Sequence, residues 1–426
     1  MVIQSDKSGS KSKTVLLVSS YAPHMFGGSS FMLYQLMEQW LPHFKIFVLT
    51  SSKNIGVLMK DPLPVHTWYY DFLPQQLWAR EREQKLLQPG QKKDNFFNFL
   101  KYHLPVRVRK ILSMIIGPFR FLKELHILVR KGNEILLRED VDKILISSDR
   151  GIAFWGGFFL SLRFKKPYSL LMFDLYKGNY FYPFEAIIAF LLEGLLFKRA
   201  EHIFVAGEGM LEYYKKRYRR PFTLVANSIN LKDFPPASPP VLVGYPFTIL
   251  YSGAIYWAQA DALKTLVEAI REDSDYRLCL YSPHSEEIIK KRGLLGPNVE
   301  LGLLPREKLL NVQRSADVLF LPMSFNPRYR LVVETAPTSK LYEYMASFRP
   351  ILILAPPYSF VARYAQKHRL AMVVTEKDPK AVKEALESLR KDTALRQELV
   401  ENAWRIVQQN HDIRRNASII EEVLWG

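Results

Sequence analysis

The residues best suited to binding phosphate and hydroxyl groups lie together at 337–346, in the run Pro-Thr-Ser-Lys-Leu-Tyr-Glu-Tyr-Met-Ala. Leu341, Tyr344, Met345 and Phe348 stand at i, i+3, i+4 and i+7, which predicts an amphipathic helix over 338–348 with these four as its buried stripe. Ser339 and Glu343 fall on the opposite face. Pro337 and Thr338 mark the start. Lys340 sits in the first turn, where the macrodipole favours anions and a lysine needs something negative brought to it. Free N–H groups, hydroxyls and a lysine at a helix start suit a phosphate. Glu343, one turn further in, suits two hydroxyls such as those of a ribose. The stretch reads as a nucleotide-diphosphate cradle; a surface helix with a Thr or Ser cap is the alternative.

The elements that position this run alternate regularly. After a polar leader, 13–20 is a continuous apolar run of buried parallel-strand type. A loop with Gly27 and Gly28 follows, then a helix with Leu33, Leu36, Met37 and Trp40 as its core stripe. Strand, glycine loop and helix let backbone N–H groups approach a phosphate, although the Gly-x-Gly-x-x-Gly fingerprint is absent and a plain tight turn explains the glycines equally. His24 lies in this loop. Strands are expected at 45–52, 143–148, 168–173, 202–207 and 222–227, with helices at 151–163, 183–199 and 208–218. Residues 53–142 show no clear period. Proline-dense 236–246 cannot continue a sheet and reads as a linker. Strands then recur at 247–253, 276–282, 299–304, 317–323, 350–357 and 370–376 with helices between them, followed by helices 378–390 and 393–426.

Alternation of this kind predicts an α/β fold of two Rossmann-like, doubly wound parallel-sheet domains. The expected division is 1–235, the linker, and 247–404. Function in such sheets gathers at the carboxyl ends of strands, where Asp174 and the pair Asp149-Arg150 stand in the first domain. Gly253, Tyr256 and Trp257 follow the first strand of the second. Arg328 and Arg330, in a loop, carry the planar fork that suits phosphate.

A chain of 426 residues, 48% hydrophobic and 24% charged, is globular and too long for one ordinary core. Its single cysteine, Cys279, excludes an internal disulfide and a cysteine-based zinc site. No apolar leader is visible at the start and the longest apolar segment, 180–197, carries Glu185 and Glu193, so a cytoplasmic protein is expected. The net charge of +17 favours anionic partners. From Lys101 to Lys123 there are six basic residues and no acidic one, interleaved with apolar side chains. Such a segment could lie on an anionic membrane or pack on the core with a solvated basic face; Gly117-Pro118 is expected to break it in two.

The run 337–346 resembles the nucleotide-sugar-binding segment of GT-B glycosyltransferases of family four, whose pattern is Pro-Ser/Thr-Lys-x-Tyr/Phe-Glu-Tyr/Ala-Met/Leu-Ala. Asp174 in Phe-Asp-Leu-Tyr and the turn Asn227-Ser228-Ile229-Asn230 match further family elements. The resemblance implies two domains facing a cleft and a metal-independent enzyme without a cofactor. It would transfer a sugar, with retention, from a nucleoside-diphosphate sugar to a saccharide or lipid-linked saccharide acceptor in polysaccharide biosynthesis. It also implies a C-terminal helix from about 405 returning to the first domain. The expected location is the cytoplasm, with a peripheral place at the inner face of the membrane through the basic segment 101–123.

The implied catalytic residues are Asp174, Glu334 and Lys340. The implied donor-binding residues are Gly27, Gly28, Gly253, Arg328, Arg330, Thr338, Ser339, Lys340, Leu341 and Glu343. The chain departs from the family's Glu-x7-Glu pair, since Thr335 stands where the first glutamate is expected and Glu334 precedes it. It also lacks the family's Gly-Arg…Lys element after Gly253, which leaves Lys340, Arg328 and Arg330 to meet the diphosphate charge. A nucleotide-sugar epimerase or phosphorylase of the same fold is the alternative enzyme. A basic membrane- or nucleic-acid-binding module is the weakest reading, and no nucleic-acid partner is expected.

Overall fold

A computed structural model describes residues 13–20, 28–51, 63, 65–69, 106–147, 151–179, 183–237 and 244–426. They form two compact units, one of Met1–Phe204, Tyr218–Thr223 and Val423–Gly426, the other of Val205–Arg217 and Leu224–Glu422.

The elements of the N-terminal half are β1 (Thr14–Val18), α1 (Gly28–Trp40), β2 (Lys45–Thr50), β3 (His66–Tyr69), α2 (Val106–Arg138), β4 (Lys143–Ser147), α3 (Ile152–Phe164), β5 (Tyr168–Met172), α4 (Pro183–Arg199), β6 (Ile203–Val205), α5 (Glu208–Lys215) and β7 (Thr223–Leu224). The strands form one sheet in the order β3-β2-β1-β4-β5-β6-β7. β1 and β5 are buried along their whole length, as apolar runs covered on both faces must be.

The rest of the chain comprises β8 (Phe247–Ser252), α6 (Ala260–Ile270), β9 (Tyr276–Tyr281), α7 (Glu286–Lys291), β10 (Val299–Gly302), α8 (Arg306–Ser315), β11 (Val318–Pro322), α9 (Arg330–Thr335), α10 (Ser339–Met345), β12 (Ile351–Leu354), α11 (Phe360–His368), β13 (Met372–Val374), α12 (Pro379–Lys391), α13 (Thr393–Asn410) and α14 (Ile413–Trp425). Its six strands run β10-β9-β8-β11-β12-β13, and every neighbouring pair is parallel. The strand order reverses between β8 and β11, the switch point at which open α/β sheets bind ligands. Side chains alternate across the sheet. Val318 and Phe320 face a core with Leu263, Leu266 and Leu386, while Leu319 and Leu321 face one with Leu341, Met345 and Val361. The predicted buried stripe is therefore confirmed, since Leu341, Tyr344, Met345 and Phe348 are all buried, the first three in the core on the second side.

Four local expectations are corrected. Residues 101–123 do not break at Gly117-Pro118: α2 is one helix of 33 residues with Pro118 inside it. A Cβ at Gly117 would lie 3.2 Å from Phe184 Cβ, so the helix is close-packed there and tertiary contact overrides the local breaker. The closing helix 393–426 is two helices, separated at His411-Asp412. Arg330, expected in a loop, instead opens the helix Arg330–Thr335. The aperiodic region contributes β3 and the whole of α2.

Candidate functional site

The site is built at the carboxyl end of β8. Gly253 follows it directly with φ +124°, a conformation that side chains rarely adopt. A Cβ there would lie 2.6 Å from Lys340 Cε and 2.8 Å from Nζ, so the lysine lies across this glycine and only glycine leaves room for it. The ammonium also stands 5.4 Å from the centroid of the buried Tyr251 ring. The structure thus brings together two residues far apart in sequence that the family pattern had each singled out.

Lys340 as a whole is half-buried, and desolvation is the largest influence on its ammonium. That burial pushes its pKa below the ordinary value, and the nearby Glu343 carboxylate works in the opposite direction without prevailing. A lysine so placed favours an anion that can meet it. The helix carrying it, α10, has only seven residues and no side-chain cap from Thr338, so the positive charge at this point belongs to Lys340 more than to the backbone. Thr338, Ser339 and Glu343 are half-buried beside it. Leu341, as the buried stripe requires, has its side chain wholly in the core, and its N–H bonds to the Thr338 carbonyl at 3.2 Å. It positions the helix and offers no side chain to a ligand.

Beneath Gly253 lies a buried polar chain that pattern reasoning missed. The Ser252 N–H donates to Tyr344 Oη at 3.2 Å, Gln313 Nε2 donates to Ser252 Oγ at 3.5 Å, and Ser347 Oγ donates to Gln313 Oε1 at 2.7 Å. It ties β8, α8 and α10 together, and its burial makes breaking any link costly. The start of the run is held as firmly. Asn227 Nδ2 donates to the Pro337 carbonyl, and a Cβ at Gly207 would come within 2.7 Å of Pro337 Cβ. Asn227 also accepts, through its own carbonyl, from His411 Nδ1 at 2.8 Å, and His411 Nε2 is 2.7 Å from Tyr364 Oη. Burial drives the His411 pKa down to about 3. The ring is therefore neutral and stacks on Tyr342 with 4.1 Å between centroids. The only sequence sign of this arrangement was the Asn-Ser-Ile-Asn turn.

Tyr256 is exposed, and its ring meets Trp257 edge-on at 5.5 Å; Trp257 in turn lies 4.4 Å from Tyr329. Arg328 is exposed, 6.0 Å from the Tyr329 ring. Arg330 lies 3.9 Å from Glu334 and 4.7 Å from the Tyr358 ring. Glu334 is thus in a helical turn, with its carboxylate near the guanidinium one turn back.

In the first unit, Asp174 follows β5 and keeps an exposed surface, while the protein around its carboxyl raises its pKa above the ordinary carboxylate value. Gly28 opens α1 with nothing within 4 Å of where a Cβ would stand. His24, Gly27, Asp149 and Arg150 lie outside the described residues.

The two parallel sheets, the second with the strand order of a Rossmann domain, are those of the GT-B fold. No protein-family model matches the sequence, and no curated protein matches it either. Among solved structures the chain is similar to sucrose-phosphate synthase from Thermosynechococcus elongatus, with 15% identity, a TM-score of 0.67, and coverage of 97% of this chain and 98% of that one. It is similar to Anabaena HepE, solved in complex with UDP and glucose, at 13% identity and a TM-score of 0.63, covering 97% and 99%. The calicheamicin glycosyltransferase CalG4 shares 14% identity with a TM-score of 0.51, covering 97% and 99%.

Proposed function

We propose that this protein is a glycosyltransferase that takes a nucleoside-diphosphate sugar as donor and a saccharide or lipid-linked saccharide as acceptor. The carrying observation is the apposition of Gly253 and Lys340 at the β8/β11 switch point, which puts a desolvated ammonium beside the glycine that ends β8, and this supports binding of an anion there. Likeness to proteins solved with UDP and glucose supports the donor class. In this reading the second unit holds the nucleotide, with Glu343 on the ribose hydroxyls and Thr338, Ser339 and Lys340 on the diphosphate. The bond from the anomeric carbon to the diphosphate breaks and its electron pair leaves with the diphosphate, whose growing charge Lys340 stabilises. The acceptor oxygen bonds to the same carbon and gives up its proton. Asp174, with its raised pKa, is the group we assign to the acceptor side, where a stronger base takes that proton more readily. Retention of configuration, metal independence and a role in polysaccharide biosynthesis belong to this proposal.

Calorimetric titration of wild type and Glu343→Ala with UDP, GDP and ADP tests it. Binding of one nucleoside diphosphate, lost in Glu343→Ala with the melting temperature kept, is expected. Failure of all three to bind, or equal binding by the variant, would overturn the assignment.

A further inference from the structure

The first unit carries an apolar surface that its own core does not use. On α2, Phe121, Leu128 and Ile135 are buried at seven-residue spacing. Leu128 packs where Gly156 of α3 leaves room. On another side of the same helix Ile111, Ile115, Phe119 and Leu122 form a stripe at i, i+4, i+8 and i+11, and Phe119 is 74% exposed. α4 repeats the arrangement. Leu196 and Phe197 are buried, whereas Ile187, Phe190, Leu191 and Leu195 line an exposed stripe, with Phe190 64% exposed. The two helices touch where Phe121 meets Phe184 edge-on at 5.7 Å, so the stripes flank one contact. Single exposed apolar residues need no explanation, but two adjoining stripes do.

The charges around them are mostly positive, although Glu124 pairs with Arg120 at 3.4 Å. Arg120 and Lys123 are exposed next to the α2 stripe, and the sequence from Lys101 to Lys123 has no acidic residue. Lys101 lies outside the described residues. The Lys177 ammonium stands 4.0 Å from the Phe190 ring centroid, so a cation sits on the α4 stripe itself. α4 ends in the exposed pair Lys198-Arg199. Of the two acidic residues of α4, Glu185 stands in the first turn, and Glu193 is turned inward, accepting from Tyr218 Oη at 2.7 Å and the Lys177 N–H at 2.7 Å. Among the described residues no helix is long and apolar enough to cross a membrane.

The geometry points to a docking surface for an anionic lipid bilayer, formed by the N-terminal half of α2 together with α4. Apolar stripes enter the acyl boundary, and the lysines and arginines beside them meet anionic headgroups. A second copy of this chain would bring two basic surfaces together, at a cost in like-charge repulsion. The surface does not depend on the nucleotide site or on glycosyl transfer.

The test is co-sedimentation of the full chain with phosphatidylcholine vesicles, with and without phosphatidylglycerol. Phe119→Ser/Phe190→Ser, Arg120→Gln/Lys123→Gln and Lys340→Met are carried alongside, with circular dichroism to establish that each folds. Wild type and Lys340→Met should bind anionic vesicles and release them at high salt. Each surface variant should bind at least roughly tenfold more weakly. Absence of wild-type binding, equal binding by folded surface variants, or a dimer in light scattering that Phe119→Ser/Phe190→Ser dissolves would overturn it.

Discussion

Replacing Lys340 by methionine separates a binding role from a structural one, because the two predict opposite signs. Methionine keeps an unbranched stem across Gly253 and removes the charge. In the free protein, desolvation of the ammonium outweighs its attraction to Glu343, as its lowered pKa records, so the charged form is the costly one. Removing it should leave the melting temperature of the ligand-free protein unchanged or raised. With a diphosphate bound the balance reverses. A charge-assisted hydrogen bond contributes about 1.5–3 kcal/mol, and about 1.4 kcal/mol is a tenfold change in affinity, so binding should weaken about 10- to 150-fold. Isothermal titration of the tightest-binding nucleoside diphosphate into wild type and variant reads the second number, and thermal unfolding without ligand reads the first. A variant that melts lower without ligand yet binds the diphosphate as wild type does would make Lys340 a structural residue and refute the reasoning.

Gly253→Ala should produce the same loss of nucleotide affinity by a different route. Its Cβ would occupy the space of Lys340 Cε, and φ of +124° strains an alanine by about 1–3 kcal/mol; unlike Lys340→Met it should also lower the melting temperature, and unchanged affinity would show that the lysine does not need this path. A second expectation concerns acid. His411 has a native pKa near 3 against an ordinary value of 6.5. Below 6.5 the unfolded chain takes up a proton that the native state refuses, so stability falls as pH drops from 6.5 toward 3. Between about pH 7 and about pH 5 this contributes about 2 kcal/mol. Urea midpoints at the two pH values should converge in His411→Gln by that amount, and an equal pH dependence in both proteins would remove His411 as its source.

The parts legible in the sequence are those whose information is local. Strands such as Val318–Pro322 and Ile351–Leu354 are continuous apolar runs because both faces of a parallel sheet are covered, and their boundaries came within a few residues. The helix of Lys340 was visible from its period. What could not be read depends on partners distant along the chain. Nothing near Gly253 indicates that a lysine from another element will lie over it, and the backbone angle that makes the glycine necessary has no signature of its own. Gly117-Pro118 is a strong local breaker, yet Phe184 packing at Gly117 keeps α2 continuous. His411 interrupts a helix that its neighbours would continue, because a neutral ring is needed between Asn227 and Tyr364.

Pro118 has one more effect. Having no N–H, it cannot close the helical bond to the Met114 carbonyl. In water that carbonyl is simply hydrated, but hydrocarbon offers no donor and penalises a bare one by several kcal/mol. On the bilayer surface proposed above, α2 would therefore lie among hydrated headgroups and be opposed from sinking past them, and the residue that looked like a helix breaker would act as a depth stop.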